Sequence, residues 1–234
     1  MRTHFVLPAL LALPLLGAAQ HSGLSRKIND LYDNQSLLPV DNSQLYGSPF
    51  LARGWQTATV QLVGNATPTP ATLRYDIYRQ ELRVRRPQGD SVVVPLTRIA
   101  EFSLAGPMRR FVCYPAATLP AEVAGACAEM LVDAPQLQLL KFWRKAVVKE
   151  SLGNSSYATS STRDVLEESS RLYLRWPADG HLVAVRPKRS SFEQALAGQP
   201  AALAALKTRK GSISSEAELA AAVQALAPTI TTGH

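Results

Sequence analysis

Thr72-Leu-Arg-Tyr-Asp-Ile-Tyr-Arg-Gln-Glu-Leu-Arg-Val-Arg-Arg-Pro-Gln-Gly-Asp-Ser-Val-Val-Val-Pro-Leu-Thr-Arg-Ile-Ala-Glu-Phe-Ser-Leu104 decides the fold, because it reads as a meander of antiparallel strands. Leu73, Tyr75 and Ile77 alternate with Arg74 and Asp76, so a strand here turns its apolar residues to one face and its charged residues to the other. The chain then turns through residues 78–81, and a two- or four-residue loop gives one register: Ile77 opposite Leu82, Asp76 opposite Arg83, Tyr75 opposite Val84. Apolar pairs share the inner face and opposite charges meet on the outer one, each pair contributing roughly 0.2–1 kcal/mol relative to Ala–Ala. Arg74 facing Arg85 is the discord in this register. Pro87-Gln-Gly-Asp90 supplies the next turn and returns the chain into Ser91-Val-Val-Val-Pro-Leu96, whose unbroken valines leave the inner face of that strand undecided.

Further strands are expected on both sides of the meander. Residues 55–63 are rich in β-branched and aromatic side chains, and residues 64–70 form a loop broken by Pro68 and Pro70. Residues 109–114 read as a short strand, followed by a loop over 115–125. Residues 125–133 and 137–149 read as a long hairpin turning at Asp133-Ala-Pro-Gln136, with Leu137, Leu139, Lys141 and Trp143 on one face. A helix over 136–149 competes, since Leu, Lys and Ala also suit helices. Residues 151–170 are rich in Ser and Thr with little apolar content and read as a long mobile loop. Residues 171–176 and 181–186 flank Pro177-Ala-Asp-Gly180, whose Asp-Gly signals a hairpin.

Beyond residue 187 the period changes. Ser190-Ser-Phe-Glu193 fits a capping box, Pro200 is placed to open a second helix carrying Leu203 and Leu206, and Gly211 to end it. Ser215-Glu-Ala-Glu218 is a second capping box, opening a helix with Leu219, Val223 and Leu226 on one stripe, stopped by Pro228. Short helices with narrow stripes form little core alone, so they are expected to dock on the sheet. The predicted fold is α+β: an antiparallel domain over 47–187 with about eight strands, curled into a sandwich or partial barrel, and a helical tail over 188–228.

Residues 1–19 read as a signal peptide, with Arg2 and His4 as a basic head, an apolar run over 5–16 and small residues at Gly17-Ala-Ala19. The run is short for a spanning helix, which needs ~20 apolar residues. Residues 20–46 read as a flexible polar arm with a short helical possibility at 27–33. No later stretch is apolar enough to span a bilayer, so a periplasmic or secreted protein is expected. The formal charge of +7 loses one with Arg2, leaving an excess of six that suits lipopolysaccharide, acidic polysaccharide, peptidoglycan or an acidic protein, or that serves solubility alone. Cys113 and Cys127 are the only cysteines, and in an exported chain they suggest a disulfide worth ~3 kcal/mol, with two buried free thiols as the alternative.

Catalytic groups are sparse. His4 belongs to the leader, His21 to the arm and His234 to the last position, which leaves His181 after a hairpin turn, and no Gly-x-Ser-x-Gly elbow is present. Glu167 and Glu168 lie in the Ser/Thr-rich segment, and Asp76, Glu81, Asp90 and Glu101 are scattered among arginines, so an acid pair of the glycosidase kind remains open because such pairing is spatial. Metal-ligand spacing, a phosphate loop and a dinucleotide fingerprint are absent, and no cofactor is expected. Arginine density is the unusual feature: Arg74, Arg83 and Arg85 share one strand face, and guanidinium forks suit sulfate, phosphate or carboxylate. A solvated sheet face is the plainer reading.

Gly47-Ser-Pro-Phe-Leu51, Leu73-Arg-Tyr-Asp-Ile-Tyr78, Leu131-Val-Asp133 with Leu137-Gln-Leu-Leu-Lys141, and the tail over 188–226 resemble a family of exported proteins of unknown function from Gram-negative bacteria of the Bacteroidota. The resemblance covers nearly the whole chain after the leader. It implies an exported protein and supplies no active site. The family pattern often carries Asn at the position of Asp76 and does not require the two cysteines. The expected function is therefore a non-enzymatic accessory protein that binds an envelope protein or an anionic polysaccharide, with nucleic acid not among its partners. A carboxylate-dependent hydrolase acting on envelope or extracellular polysaccharide is the alternative.

Overall fold

Alternation, turn chemistry and cross-strand charge build a single antiparallel sheet. The computed structural model describes residues 45–106, 108–151 and 162–230; the leader expected over 1–19 and most of the arm expected over 20–46 lie outside them. Among the described residues ten strands run β1 (Gln56–Leu62), β2 (Thr69–Asp76), β3 (Glu81–Arg85), β4 (Ser91–Pro95), β5 (Ile99–Ala105), β6 (Met108–Cys113), β7 (Cys127–Asp133), β8 (Gln138–Ser151), β9 (Thr162–Arg175) and β10 (Leu182–Val185). Their spatial order is β10-β9-β8-β7-β6-β5-β1-β2-β3-β4. The sheet is open, with β4 and β10 as its edges, so the sandwich form of the expectation is set aside.

It nevertheless curls. The Lys145 amide on β8 donates to the Ile77 carbonyl just past β2 at 3.1 Å, joining strands at opposite ends of the row β8-β7-β6-β5-β1-β2. Residues 46–51 bridge the same gap. Tyr46 pairs with Val165 of β9, and Phe50 pairs with Asp76 of β2. The reason is local: β1 pairs with β2 only as far as Gln56↔Leu73, which leaves the edge of β2 beyond Leu73 free for another backbone. Leu51 donates to the Tyr75 carbonyl at 2.9 Å and Ile77 to the Pro49 carbonyl at 3.0 Å. Gly47 sits at φ 112° against Leu166, a backbone angle that β-carbon sterics oppose in other residues.

The meander forms with a corrected register. β2 and β3 pair Leu73↔Val84, Arg74↔Arg83, Tyr75↔Leu82 and Asp76↔Glu81, two residues away from the expected alignment. Faces survive a two-residue shift, but partners change, so Arg83 meets Arg74 instead of Asp76. The turn explains it. Asp76 Oδ1 accepts from the amides of Tyr78 and Arg79 at 3.0 and 2.8 Å, and Ile77 spends its backbone on Pro49 and Lys145 instead of on β3. Gln80 closes the turn at φ 57°.

One face of β1, β2, β5 and β6 carries Ala58, Val60, Leu73, Tyr75, Phe102, Leu104 and Phe111, all buried. Phe102 and Phe111 stack at 4.7 Å between centroids, and Tyr75 meets both edge-on. The same face continues onto β7–β10, where Val132, Leu137, Leu139, Leu172, Leu174 and Val185 form the floor for three helices. These are α1 (Arg189–Ala195), α2 (Pro200–Thr208) and α3 (Glu216–Leu226). Phe192, Leu196, Leu206, Leu219, Val223 and Leu226 are buried against that floor, so the tail docks as its stripes require. On the reverse of β7–β9, the loop after β6 packs Leu119, Val123 and Ala126 onto Ala128, Leu140, Phe142 and Tyr173.

Three further expectations are corrected or confirmed. Ser215 and Glu218 form the reciprocal capping box, whereas Lys188 caps α1 without a side-chain bond. Ser191 Oγ instead accepts the Arg186 amide at 3.0 Å, and Arg189 donates to the carbonyls of Leu206 in the last turn of α2 and of Arg209 and Gly211 beyond its end. The mobile loop expected over 151–170 is strand at Ser151 and from Thr162 onward; its remainder, 152–161, lies outside the described residues. β9 pairs with β8 along fourteen positions through complementary charge, with Lys145 opposite Glu168, Lys149 opposite Asp164 and Glu150 opposite Arg163. Apolar content alone does not reveal such a strand. The region 136–149, for which a helix competed, is strand from Gln138 onward.

Cys113 and Cys127 face each other directly across β6 and β7, with Cα atoms 4.2 Å apart, and form a disulfide.

Candidate functional site

Period-two geometry places Arg74, Arg83 and Arg85 together on the face of β2–β3 opposite the aromatic core. Arg74 and Arg83 are directly paired, and Arg85 lies two residues beyond Arg83 on β3. The sequence did not reveal the aromatic component. Residues 46–51 carry Phe50 over this face, and Trp55 stands at the entrance to β1. The Arg74 guanidinium lies 3.5 Å from the Phe50 ring centre and 5.8 Å from that of Trp55. Arg83 lies 5.6 Å from Phe50, and Arg85 lies 6.0 Å from Trp55. Cations and rings therefore alternate as Arg83, Phe50, Arg74, Trp55, Arg85, with cation–π attraction of ~0.5–1 kcal/mol at each well-placed exposed contact.

The stack is electrostatically unbalanced. Arg83 approaches Glu81 at 3.3 Å, while Arg74 Nη2 donates to the Arg53 carbonyl at 3.2 Å. Arg74 and Arg85 make no ion pair among the described residues. Burial and then the neighbouring Arg83 charge lower the Arg74 pKa, partly offset by Asp76. An anion at this face would relieve that repulsion. Asp76, expected on the solvated outer face, is fully buried there beneath residues 46–51, with Arg79 Nη1 3.6 Å from its Oδ2.

Several of the carboxylates considered for a hydrolase are held by cations. Glu101 meets Arg110 at 2.7 Å, Asp90 meets Arg86, and Glu168 meets Lys145 at 3.3 Å. Glu129 binds Arg109 through both oxygens at 2.6 and 2.7 Å and accepts Trp143 Nε1 at 2.6 Å. Burial pushes the Glu129 pKa up, but those bonds outweigh it and hold the group below its ordinary value. Lys141 continues this cluster, 3.9 Å over the Trp143 ring and 2.6 Å from Glu216 of α3, so the cluster ties the helices to the sheet. His181 lines an open cleft with Tyr114, Arg175 and Asp179, and its ring lies beside Trp176. Among the described residues no group of three or more His, Cys, Asp or Glu side chains is placed to hold a metal ion, and no helix is long and apolar enough to cross a membrane.

Comparison with protein-family models, curated proteins and solved structures finds no match.

Proposed function

We propose that this chain is a non-catalytic accessory protein of the bacterial envelope, periplasmic or secreted, that binds an anionic polysaccharide through the Arg74, Arg83 and Arg85 face. The observation that carries the reading is the alternation of guanidinium groups with Phe50 and Trp55. Guanidinium edges bind carboxylate or sulfate oxygens, and the rings offer apolar surface to sugar carbons. The disulfide fits an oxidising compartment, and the leader and the resemblance to exported Bacteroidota proteins support the same location. Engagement of Glu101, Glu129 and Glu168 by cations supports binding over hydrolysis.

The test is binding to lipopolysaccharide and to acidic glycans at low and moderate salt. Affinity should fall steeply with salt and drop in Arg74→Ser, Arg83→Ser and Arg85→Ser, with melting temperatures checked because Arg74 packs on Phe50. Salt-insensitive binding, or variants that bind as tightly as the parent, would refute the polysaccharide reading. A stoichiometric protein captured by crosslinking in the native envelope, without polymer binding, would replace it with a protein partner.

A further inference from the structure

A groove of about 870 Å³ opens where β10 leaves the sheet, between β9 and the start of α1. Its lining brings together Arg186 and Lys188, flanked by the hydroxyls of Ser190 and Ser191, with Glu216 as its one carboxylate. Glu216 is already held by Lys141 at 2.6 Å. Arg171 also borders the groove, but its guanidinium stands 3.7 Å from Glu122 on the face of β9 that carries its cross-strand partner Phe142, away from the helices. Arg186 and Lys188 make no ion pair among the described residues. Ser191 Oγ accepts the Arg186 amide, so its own hydrogen is left to donate to another group.

Two unpaired cations, Arg186 and Lys188, against one committed carboxylate give the groove a positive charge that the fold does not use. A guanidinium fork, an ammonium and serine hydroxyls are a donor set that suits a tetrahedral oxyanion. We infer that this groove is a second anion site, separate from the Arg74 face, that takes a phosphate group, free or as a sugar ester. None of its residues belongs to β2 or β3, so the two readings stand or fall separately.

The experiment titrates the nitrogen-15-labelled full chain with inorganic phosphate and with glucose 6-phosphate, against chloride at matched ionic strength. Amide resonances of Ser190 and Ser191 report on the groove. Saturable shifts are expected with phosphate and not with chloride. Arg186→Gln and Lys188→Gln should each weaken binding about tenfold, as loss of one charged hydrogen bond does, and Arg186→Lys should recover part of the loss. The triple variant Arg74→Ser, Arg83→Ser, Arg85→Ser should bind phosphate as the parent does. Tighter binding of glucose 6-phosphate would identify an ester as the ligand, and equal or weaker binding the free ion. Shifts that fail to saturate, that chloride reproduces, or that persist in the Arg186→Gln and Lys188→Gln variants would overturn the site.

Discussion

Tyr75 and Cys127 lie on strands four places apart in the sheet order, yet the buried Cys127 amide donates to the Tyr75 hydroxyl at 3.2 Å. That hydroxyl donates in turn to Gln80 Oε1 at 2.6 Å, and Gln80 Nε2 bonds the carbonyls of Ile77 and Trp143 at 2.8 and 3.0 Å. A chain of hydrogen bonds thus holds the curl shut from inside. Tyr75→Phe leaves the ring packing intact but orphans a buried amide, and should cost about 1–3 kcal/mol in urea denaturation. A loss of a few tenths only would show that the curl is held by packing alone.

Lys145 holds the residue 46–51 bridge from beneath. Its ammonium donates to the Ser48 and Phe50 carbonyls, both at 2.8 Å. Lys145→Met should lower stability by about 2–3 kcal/mol, the upper range for hydrogen bonds to charged groups. Hydrogen exchange should localise the change, with faster exchange at the Leu51 and Ile77 amides and none at Leu219 in α3. Uniform acceleration over the chain would instead mean global destabilisation without release of the bridge.

The disulfide closes a separation of 14 residues. Its removal by Cys113→Ser with Cys127→Ser should lower stability by ~3 kcal/mol in the chain-entropy account, read as a shift in the guanidinium midpoint. The native protein, denatured without reductant, should show no titratable thiol.

Two serines distinguish a formed helix cap from an apparent one. Ser215 Oγ accepts the Glu218 amide at 3.2 Å, so Ser215→Ala should cost ~1 kcal/mol. Ser190 makes no such bond, and Ser190→Ala should leave the thermal midpoint within experimental scatter.

Glu218 gives the tail an acid limit. It accepts from the Ser214 amide and hydroxyl, the Ser212 hydroxyl and the Ser215 amide, and these bonds hold its pKa down at about 2 from an ordinary 4.5. The folded state favours the carboxylate, so its contribution is complete above 4.5 and disappears as pH falls through about 2. A carboxyl titration by nuclear magnetic resonance should place the midpoint near 2, and Glu218→Gln should flatten that part of the acid unfolding curve. A midpoint near 4.5 would show that the serine bonds do not form in solution.

Strands whose side chains alternate cleanly, such as β2 and β3, were legible because one buried face imposes period two. Their partners were not. Register depended on Asp76 bonding the turn amides and on Ile77 turning to Pro49 and Lys145, residues that no local window joins. The outer half of β9 was missed because charges opposite β8, not apolar residues, specify it. At the candidate site the three arginines followed from spacing on neighbouring strands. Phe50 did not, since it reaches the face only after residues 46–51 cross the gap in the sheet. A short Gly-Ser-Pro-Phe run ahead of the first strand was the available local signal, and nothing in it specifies the crossing.

The β8–β9 arm carries its own alignment code. A two-residue slip in one direction sets Val147 against Glu168 and Lys149 against Leu166; the opposite slip sets Val147 against Asp164 and Val148 against Arg163. Either error parts Lys145 from Glu168, Lys149 from Asp164 and Glu150 from Arg163 together. The register of the ribbon is thus written in its own two strands and asks nothing of the helices or the aromatic core.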